Sequence, residues 1–411
     1  MTTTTNEILR ELWSRDDSPM YLFNENTLYE NIVNIGKAFH RYYGNTYAAY
    51  SFKTNYLADI CQIVNEAGLL AEVVSPYERM YAMELGFTPD RIVYNGVIPN
   101  TAEKVKLASC GGFVNVDNYD ELRDIYFMAK EQGITIPIGI RVTFDAGNEL
   151  KSRFGIDIDS DDFSGAMGFF QHNTHLEFRG FQCHIGSARQ PKYWKNKIDR
   201  MIELAKTYGA KYIDLGGGMF GPMAPELAEQ FNGYAYGGYE EYAQIIAGAM
   251  KKAFPDEDVM LMIEPGTALV GNTMKMAATI TNIKFVRGQI YLTANCASNH
   301  MGVIADMKKL VPEVVHMNDN ACTFTDVIIG GDTCLEYDYL VKGISGEFAI
   351  GDRLVFDNVG AYSISSSRQF IVPRPKVVSE VTGEVLREAE GFTDMLGRYL
   401  EKTSEHRMKN A

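Results

Sequence analysis

Three features of the sequence could do chemistry together. Lys53 ends the apolar run 46–53, and a lysine at the end of a buried strand usually serves to bond covalently with an aldehyde. Residues 216–218 are three glycines, whose backbone N–H groups are open to a phosphate because no Cβ covers them. Glu264 ends another apolar run, where a buried carboxylate needs a cationic partner.

Each feature also has a plain structural interpretation. Lys53 could extend to solvent at the rim of a fold, and the glycines could form a tight turn. Glu264 could form an ion pair with an arginine such as Arg141. The combination of the three features favours a site over these separate explanations.

Eight short β-branched or aromatic runs alternate with segments of helical spacing, a pattern typical of βα units around a parallel sheet. Eight strands in roughly 250 residues predict an α/β fold of the (β/α)8 barrel type. An open Rossmann sheet would need fewer strands and a G-x-G-x-x-G motif after the first. The predicted strands are 46–53, 71–75, 92–96, 112–117, 136–142, 177–186, 212–218 and 259–266.

Chemistry in such barrels lies at the carboxyl ends of the strands. Polar or glycine residues stand at or near the end of every predicted strand, in agreement with that rule. They are Lys53, Ser75, Asn95, Asp117, Arg141, His184, Gly216 to Gly218 and Glu264.

The pattern changes after about residue 274 to strand-like runs with little helix between them, which predicts a C-terminal antiparallel β domain. The early run PMYLF predicts a further strand of that domain, followed by a helix from Leu28 to His40 capped by Asn26 or Thr27. We therefore expect a barrel over 31–274 and a β domain made of 1–30 with 275–411. The Gly/Pro-rich stretch 221–238 is predicted to be a loop that acts as a lid or dimer contact.

Composition excludes several classes of protein. Hydrophobic residues make up 46% of the 411, charged residues 22%, and the formal net charge is −14, which disfavours disorder and nucleic-acid binding. Neither a spanning apolar stretch nor a signal peptide is evident, so a cytoplasmic location is expected. Six scattered cysteines and seven scattered histidines predict reduced thiols and no metal site.

An aldehyde-binding lysine, a phosphate site and an acid for a protonated ring nitrogen together predict pyridoxal 5′-phosphate (PLP) as cofactor. The sequence resembles the fold-type III PLP-dependent decarboxylases, the ornithine and diaminopimelate decarboxylase group, whose barrel is related to that of alanine racemase. The matching blocks occur in family order over nearly the whole chain. They are 50–55 (YSFKTN), 72–75 (EVVS) with Glu78, 184–187 (HIGS), 216–218 (GGG), 264–266 (EPG), Cys334 with Asp338, and 360–362 (GAY).

The resemblance implies a role for each matching residue. Lys53 would bond to the cofactor aldehyde, His184 would stack on the pyridine ring, and Glu264 would keep the ring nitrogen protonated. Gly217, Gly218, Ser187 and Tyr362 would hold the phosphate, while Glu72, Gly266 and Thr267 complete the predicted cofactor contacts. The family also implies a head-to-tail homodimer in which Cys334 enters the neighbour's site as a catalytic group, with Leu335, Asp338 and Tyr362 near the substrate.

The implied reaction is decarboxylation of a free or conjugated amino acid to an amine and CO₂, with Cys334 or the freed Lys53 as the proton donor. Two departures from the family bear on the substrate. Thr267 stands where the family has arginine, and Leu335 stands where an acidic residue normally holds a distal ammonium group. Because 294–309 also lacks the arginine motif for a distal carboxylate, neither diaminopimelate nor ornithine is the expected substrate, although Glu336 or Asp338 could replace the missing acid.

Two alternatives remain at this level. An amino-acid racemase shares the fold but places an arginine at the ring nitrogen, so Glu264 favours decarboxylation. A non-enzymatic PLP-binding relative would be a shorter lone barrel or would have lost Lys53 or the glycines. For Cys334, a buried thiol without function is the alternative to a catalytic one.

Overall fold

The computed structural model describes residues 3–98, 100–148, 151–231 and 238–400. The chain divides into two compact units. The barrel unit comprises Tyr29–Pro222 and Phe231–Leu269, and the sheet unit comprises Met1–Leu28, Met223–Gln230 and Val270–Ala411.

The barrel unit contains a closed ring of eight parallel strands in chain order, which confirms the predicted barrel. Closure comes from the pairing of Asn115 with Gly139 and of Val116 with Ile140. A two-residue strand, Ile156–Asp157, adds to the edge of the fifth strand. The eight strands are Thr46–Ser51, Leu70–Val73, Ile92–Tyr94, Phe113–Val116, Ile136–Thr143, Leu176–Gln182, Tyr212–Asp214 and Met260–Ile263.

Most strands end earlier than predicted, so the chemistry-bearing residues lie in the loops just beyond them. Lys53 is one of these, because the first strand stops at Ser51 and a single 3₁₀ turn, Phe52–Thr54, follows. The turn aims the lysine differently from an extended strand, in which side chains alternate strictly between the two faces. These residues still lie at the end of the barrel that is formed by the C-terminal ends of the strands.

Helices connect the strands, and several of them have a recognisable cap. In the helix Tyr119–Gln132, Asn118 accepts a hydrogen bond from the backbone N–H of Glu121, and Gly133 ends the helix in the left-handed region. The first long helix begins at Glu25, earlier than predicted, because Asn24 rather than Asn26 or Thr27 accepts from a first-turn N–H. These helices are Glu25–His40, Ala58–Glu66, Pro76–Glu84, Thr101–Ser109, Tyr119–Gln132, Asp161–His172, Pro191–Tyr208, Gly238–Ala253 and Thr267–Val270, with a 3₁₀ turn at Pro89–Arg91.

The sheet unit contains a nine-stranded sheet, and the early strand Met20–Phe23 belongs to it as predicted. That strand pairs antiparallel with Met274–Val286 but parallel with Lys376–Ser379. A second parallel pairing joins two further strands, so the sheet is mostly antiparallel rather than wholly so. The remaining strands are Gln289–Ala294, Glu313–Val315, Cys322–Gly330, Tyr339–Phe348, Arg353–Phe356 and Val385–Arg387.

The N-terminal helix Thr3–Arg15 packs its buried Leu9 and Trp13 against the sheet, where they meet Met20 and Leu22. The predicted loop 221–238 contains a short helix, Pro225–Glu229, while residues 232–237 lie outside the described part of the chain. The other short helical segments are Gly271–Thr273, Ser298–His300, Val303–Met307, Phe392–Leu396 and Gly397–Tyr399.

Two features are absent from the described residues. None of their helices combines the length and apolar character needed to cross a membrane. No group of three or more His, Cys, Asp or Glu side chains among them is arranged to hold a metal ion.

Candidate active site

Lys53 is held inside the barrel by a buried carboxylate. Its Nζ forms an ion pair with Oε2 of Glu72, and the Glu72 side chain is only 1% exposed while that of Lys53 is 33% exposed. The lysine therefore does not simply extend to solvent. A buried acid in contact with the amine both keeps it at the mouth of the barrel and can accept a proton from it.

The loop beside Glu72 is ordered by a reciprocal helix cap. Ser75 accepts a hydrogen bond from the backbone N–H of Glu78, and Glu78 accepts one from the backbone N–H of Val74. Tyr56 donates to the other carboxylate oxygen of Glu78 at 2.6 Å. The structure thus gives Ser75 and Glu78 a structural role next to the ion pair.

Glu264 is buried behind the last barrel strand and is bound by two amides. Its Oε1 accepts from Nδ2 of Asn95 at 2.6 Å and from Nε2 of Gln182 at 2.9 Å. Arg141 instead lies 3.7 Å from the carboxylate of Asp117, so the alternative in which Arg141 pairs with Glu264 is wrong. Glu264 is held by neutral donors at a position that is only 2% exposed.

A second buried carboxyl group, Asp214, lies beside Glu264. Burial raises the pKa of Asp214 to about 6, and the two side chains are hydrogen-bonded. Burial, followed by the negative charge of Asp214, raises the pKa of Glu264 well above its ordinary value. Two adjacent buried carboxyls cannot both ionise easily, so the pair retains a proton that a ring nitrogen could receive.

The His184 ring is fixed by the glycine run. Its Nδ1 accepts a hydrogen bond from the backbone N–H of Gly217 at 3.1 Å. Burial, and then the positive charge of Lys53, lowers the pKa of His184 to about 3. The imidazole is therefore neutral at pH 7 with its proton on Nε2, and it can lie against a cationic ring without repulsion.

The glycines are required both for turns and for close approach. Gly216 and Gly218 have φ values of 65° and 107°, and a Cβ on Gly217 would lie 2.5 Å from the carbonyl oxygen of Glu264. Around Gly218 there is open space, as a backbone cradle for a phosphate requires. A Cβ on Gly266 would lie 2.2 Å from Oγ1 of Thr54, so Gly266 lets the last loop approach the turn that carries Lys53.

Four predicted site residues line one cavity of about 370 Å³: Lys53, Glu72, His184 and Glu264. A larger cavity of about 670 Å³ lies against the helix Glu25–His40, away from these groups. The other predicted contacts of the barrel unit do not line the 370 Å³ cavity. They are Ser187 in a turn with a φ of 61°, Gly217, Gly218, Gly266, and Thr267 at the start of a short helix.

The remaining predicted residues belong to the sheet unit. Cys334 is exposed, so its alternative interpretation as a buried thiol is wrong. Asp338 is 5% exposed, and its oxygens accept from the backbone N–H groups of Ser298 and Thr333. Asp338 therefore joins its own loop to the segment at Ser298, which counts against the predicted substrate contact. Leu335 is half-buried.

Tyr362 lies in the sheet unit with a φ of 58°, an uncommon conformation for a tyrosine that often marks a functional turn. Its predicted phosphate and substrate contacts remain predictions. Sequence reasoning missed Asp214, Gln182 and Asn115 as part of the site. Polar residues inside otherwise apolar strands, such as Asn115 in FVNV, are the signal that could have found them.

The residues present fit an aldehyde cofactor with a phosphate and a basic ring nitrogen. The cavity offers the amine of Lys53 at one wall and the carboxyl group of Glu264 at another, and the backbone around Gly218 is open where a Cβ would obstruct an anion. Its volume lies within the usual range for small-ligand sites, about 300–1,000 Å³. Fold and site together define a barrel enzyme of the PLP-dependent class.

The chain belongs to the pyridoxal-dependent decarboxylases. Residues 29–271 match the family model described as "Pyridoxal-dependent decarboxylase, pyridoxal binding domain". The protein is therefore a PLP-dependent amino-acid decarboxylase, a carbon–carbon lyase, and the racemase and non-enzymatic alternatives are set aside.

Similar proteins extend over nearly the whole chain. Diaminopimelate decarboxylase of Methanothermobacter thermautotrophicus is 26% identical over 94% of this chain and 92% of that protein. Diaminopimelate decarboxylase of Aquifex aeolicus is 24% identical over 93% of this chain and 92% of that protein. Among solved structures, Helicobacter pylori diaminopimelate decarboxylase complexed with L-lysine has a TM-score of 0.80 at 21% identity, covering 96% of this chain and 100% of that chain.

A virus enzyme with a different substrate in its name has the same fold. The arginine decarboxylase of Paramecium bursaria Chlorella virus has a TM-score of 0.74 at 18% identity, covering 90% of this chain and 97% of that chain. Enzymes named for distinct substrates thus share this architecture, and the fold alone does not identify the substrate.

When bound, PLP supplies the electron sink that accepts the bonding pair left when CO₂ departs. Lys53 would hold its aldehyde, and Glu72 can take the proton that the amine must lose before it bonds. Glu264 can place a proton at the ring nitrogen, and neutral His184 can cover one face of the ring. The amides of Asn95 and Gln182 beside Glu264 are buried, and electrostatic interactions are stronger in such surroundings than in water.

Proposed function

We propose that this decarboxylase acts on an amino acid whose side chain ends in an amino group, and that Glu336 binds that group. The proposal rests on which side chains are exposed in the loop 331–338 of the sheet unit. Leu335 cannot bind a cation and Asp338 is occupied within its loop. Asp332 and Glu336 are the exposed acids of this loop. Glu336 adjoins Leu335, the position at which an acid was expected, so it is the residue we assign to the ion pair with a distal ammonium group.

Diaminopimelate is the second candidate substrate, because the curated relatives are named for it, contrary to the expectation from the sequence. Arg153 favours it. Arg153 lines the 370 Å³ cavity with its guanidinium 4.1 Å from the ring centroid of Phe154, and no carboxylate pairs with it in the described part of the chain. A distal carboxylate would suit such a cation.

A substrate screen separates the two candidates. CO₂ release is measured from L-lysine, L-ornithine and meso-diaminopimelate, with glutamate as an anionic control. We expect turnover of the distal amines, and we expect Glu336→Gln to raise their KM by about tenfold or more while Glu347→Gln, an exposed acid elsewhere, leaves KM unchanged. Turnover of diaminopimelate alone, lost in Arg153→Gln, would establish the second candidate instead. Turnover of glutamate alone would contradict both.

We also propose that two chains form a head-to-tail dimer in which the loop 334–337 completes the partner's site. Support comes from the loop itself, in which Cys334, Glu336 and Tyr337 are all exposed, Tyr337 to 74%. A large aromatic side chain left open beside a thiol and a carboxylate is typical of a surface that another chain covers.

Subunit mixing tests the shared site. Lys53→Ala and Cys334→Ala are each expected to be impaired alone, because each lacks one group of the reaction. Random exchange of the two variants gives about half heterodimers, each with one intact site, so activity should recover to roughly a quarter of wild type. If the sites are complete within one chain, mixing restores nothing.

A further inference from the structure

A chain of buried hydrogen bonds crosses the inside of the barrel and ends on Glu264. The hydroxyl of Tyr212 donates to Oδ1 of Asn115 at 2.6 Å, and Nδ2 of Asn115 donates to Oδ1 of Asn95 at 2.8 Å. Nδ2 of Asn95 then donates to Oε1 of Glu264 at 2.6 Å. The four residues lie in or just after four different barrel strands, and all are buried.

Two glycines on neighbouring strands make room for Tyr212, the first residue of this hydrogen-bond relay from Tyr212 through Asn115 and Asn95 to Glu264. A Cβ on Gly139 would lie 1.9 Å from the hydroxyl oxygen of Tyr212 and 2.1 Å from Oδ1 of Asn115. A Cβ on Gly180 would lie 2.7 Å from the Tyr212 ring. Any larger residue would displace the tyrosine or block its bond to Asn115, so the barrel is built around this contact.

The relay has one direction because of the group at its end. Once Glu264 has given its proton to a ring nitrogen, its carboxylate only accepts hydrogen bonds, so Asn95 must then turn its nitrogen toward Glu264 and its oxygen toward Asn115. Asn115 must then turn its own nitrogen toward Asn95 and its oxygen toward Tyr212, which leaves the phenol as the donor. Any reversed link would set two acceptors or two donors against each other in a buried space.

Two donors therefore converge on a single oxygen of Glu264, since Gln182 also donates to Oε1. This pairing immobilises the carboxyl group and reserves Oε1 as an acceptor. The other oxygen, Oε2, accepts from neither amide, so it is the oxygen we assign to the proton shared with Asp214 and to the nitrogen of a bound ring. Donors to an oxygen also stabilise its anionic form, which is the form Glu264 must take once it has given its proton to the ring.

We propose that Tyr212, Asn115 and Asn95 are positioning residues that orient Glu264 toward the cofactor and bias the ring nitrogen to its protonated form. The proposal rests on the proposed role of Glu264 as the partner of that nitrogen. Tyr212 acts only through the two amides, so its effect reaches the reaction by the geometry and charge of Glu264.

The protonation state of the ring nitrogen is the property to measure, because a purely structural role would not change it. Holoenzyme is prepared with PLP labelled with ¹⁵N in the ring, and the ¹⁵N chemical shift is recorded for wild type, Tyr212→Phe, Asn95→Ala and Tyr43→Phe. Tyr43 is the matched control, since it is a buried barrel-unit tyrosine whose hydroxyl donates to the carbonyl of Val259, outside the relay.

We expect the wild type and Tyr43→Phe to show a protonated ring nitrogen, and Tyr212→Phe and Asn95→Ala to shift toward the unprotonated value. Loss of one bond to a charged group should lower kcat by about tenfold in Asn95→Ala, with KM unchanged. If Tyr212→Phe does not fold, Asn95→Ala, which removes the last link, decides the question.

Glu264→Gln separates failure of this inference from failure of the proposed role of Glu264. If Glu264→Gln leaves the ¹⁵N shift unchanged, Glu264 is not the partner of the ring nitrogen and the underlying assignment fails. If Glu264→Gln moves the shift while both relay variants keep the wild-type value, the relay is structural only and the inference is overturned.

Discussion

Replacing Lys53 by alanine is expected to lower kcat by about three orders of magnitude or more, with the fold intact. The lysine is the amine that the barrel presents to the cofactor aldehyde, and loss of a covalent catalytic group typically has effects of this size. The measurement is CO₂ release by purified variant saturated with PLP, with circular dichroism to check the fold.

Lys53→Arg is the matched control, because arginine keeps a positive charge beside Glu72 but does not condense with the aldehyde. We expect it to be as inactive as Lys53→Ala. Substantial turnover by the arginine variant would show that the lysine contributes only its charge to the ion pair with Glu72.

Replacing Glu264 by glutamine is expected to lower kcat by about 10²–10³-fold, the usual cost of removing one preorganised electrostatic group. Glutamine keeps an oxygen that can accept from Asn95 and Gln182, so the packing of the site is preserved while the negative charge is lost. Without that charge the ring nitrogen has no anionic partner, and it becomes a weaker electron sink.

The control for the Glu264 variant is Asp214→Asn, which leaves Glu264 in place but removes the neighbouring charge. We expect a smaller loss of kcat than in Glu264→Gln. We also expect a lower pKa for Glu264, which then stays ionised more readily, because the negative charge of Asp214 is one cause of the raised pKa of Glu264. A loss of less than about tenfold in Glu264→Gln would contradict the assigned role.

The barrel could be predicted because each of its strands is a short apolar run followed by helical spacing, a pattern that depends on local sequence. Strand ends were less predictable. The 3₁₀ turn at Phe52–Thr54 was not expected, because Phe52 and Lys53 continue the alternation that precedes them. The strand Tyr339–Phe348 is hard to recognise in the sequence, because Gly343 and Gly346 interrupt its apolar pattern.

The individual groups at the site could be selected from their residue types, but their contacts could not. Asn95 and Glu264 are 169 positions apart, and nothing in the spacing of either residue indicates that they meet. Asp338 shows the same limitation, because a contact suggested by its sequence position is not the contact that the structure shows. Its position four residues after Cys334 suggested a contact with substrate, whereas in the fold its carboxylate accepts from the backbone of its own loop at Thr333 and from that of a separate segment at Ser298.

Binding of PLP through Lys53 in the barrel can be tested directly. Reduction of the PLP-loaded enzyme with borohydride fixes the cofactor to the amine that holds it, and mass spectrometry of a digest identifies that residue. We expect a pyridoxyl group on the peptide that contains Lys53 and none in Lys53→Ala. A label on another lysine, such as the buried Lys197, or no label at all would contradict binding through Lys53.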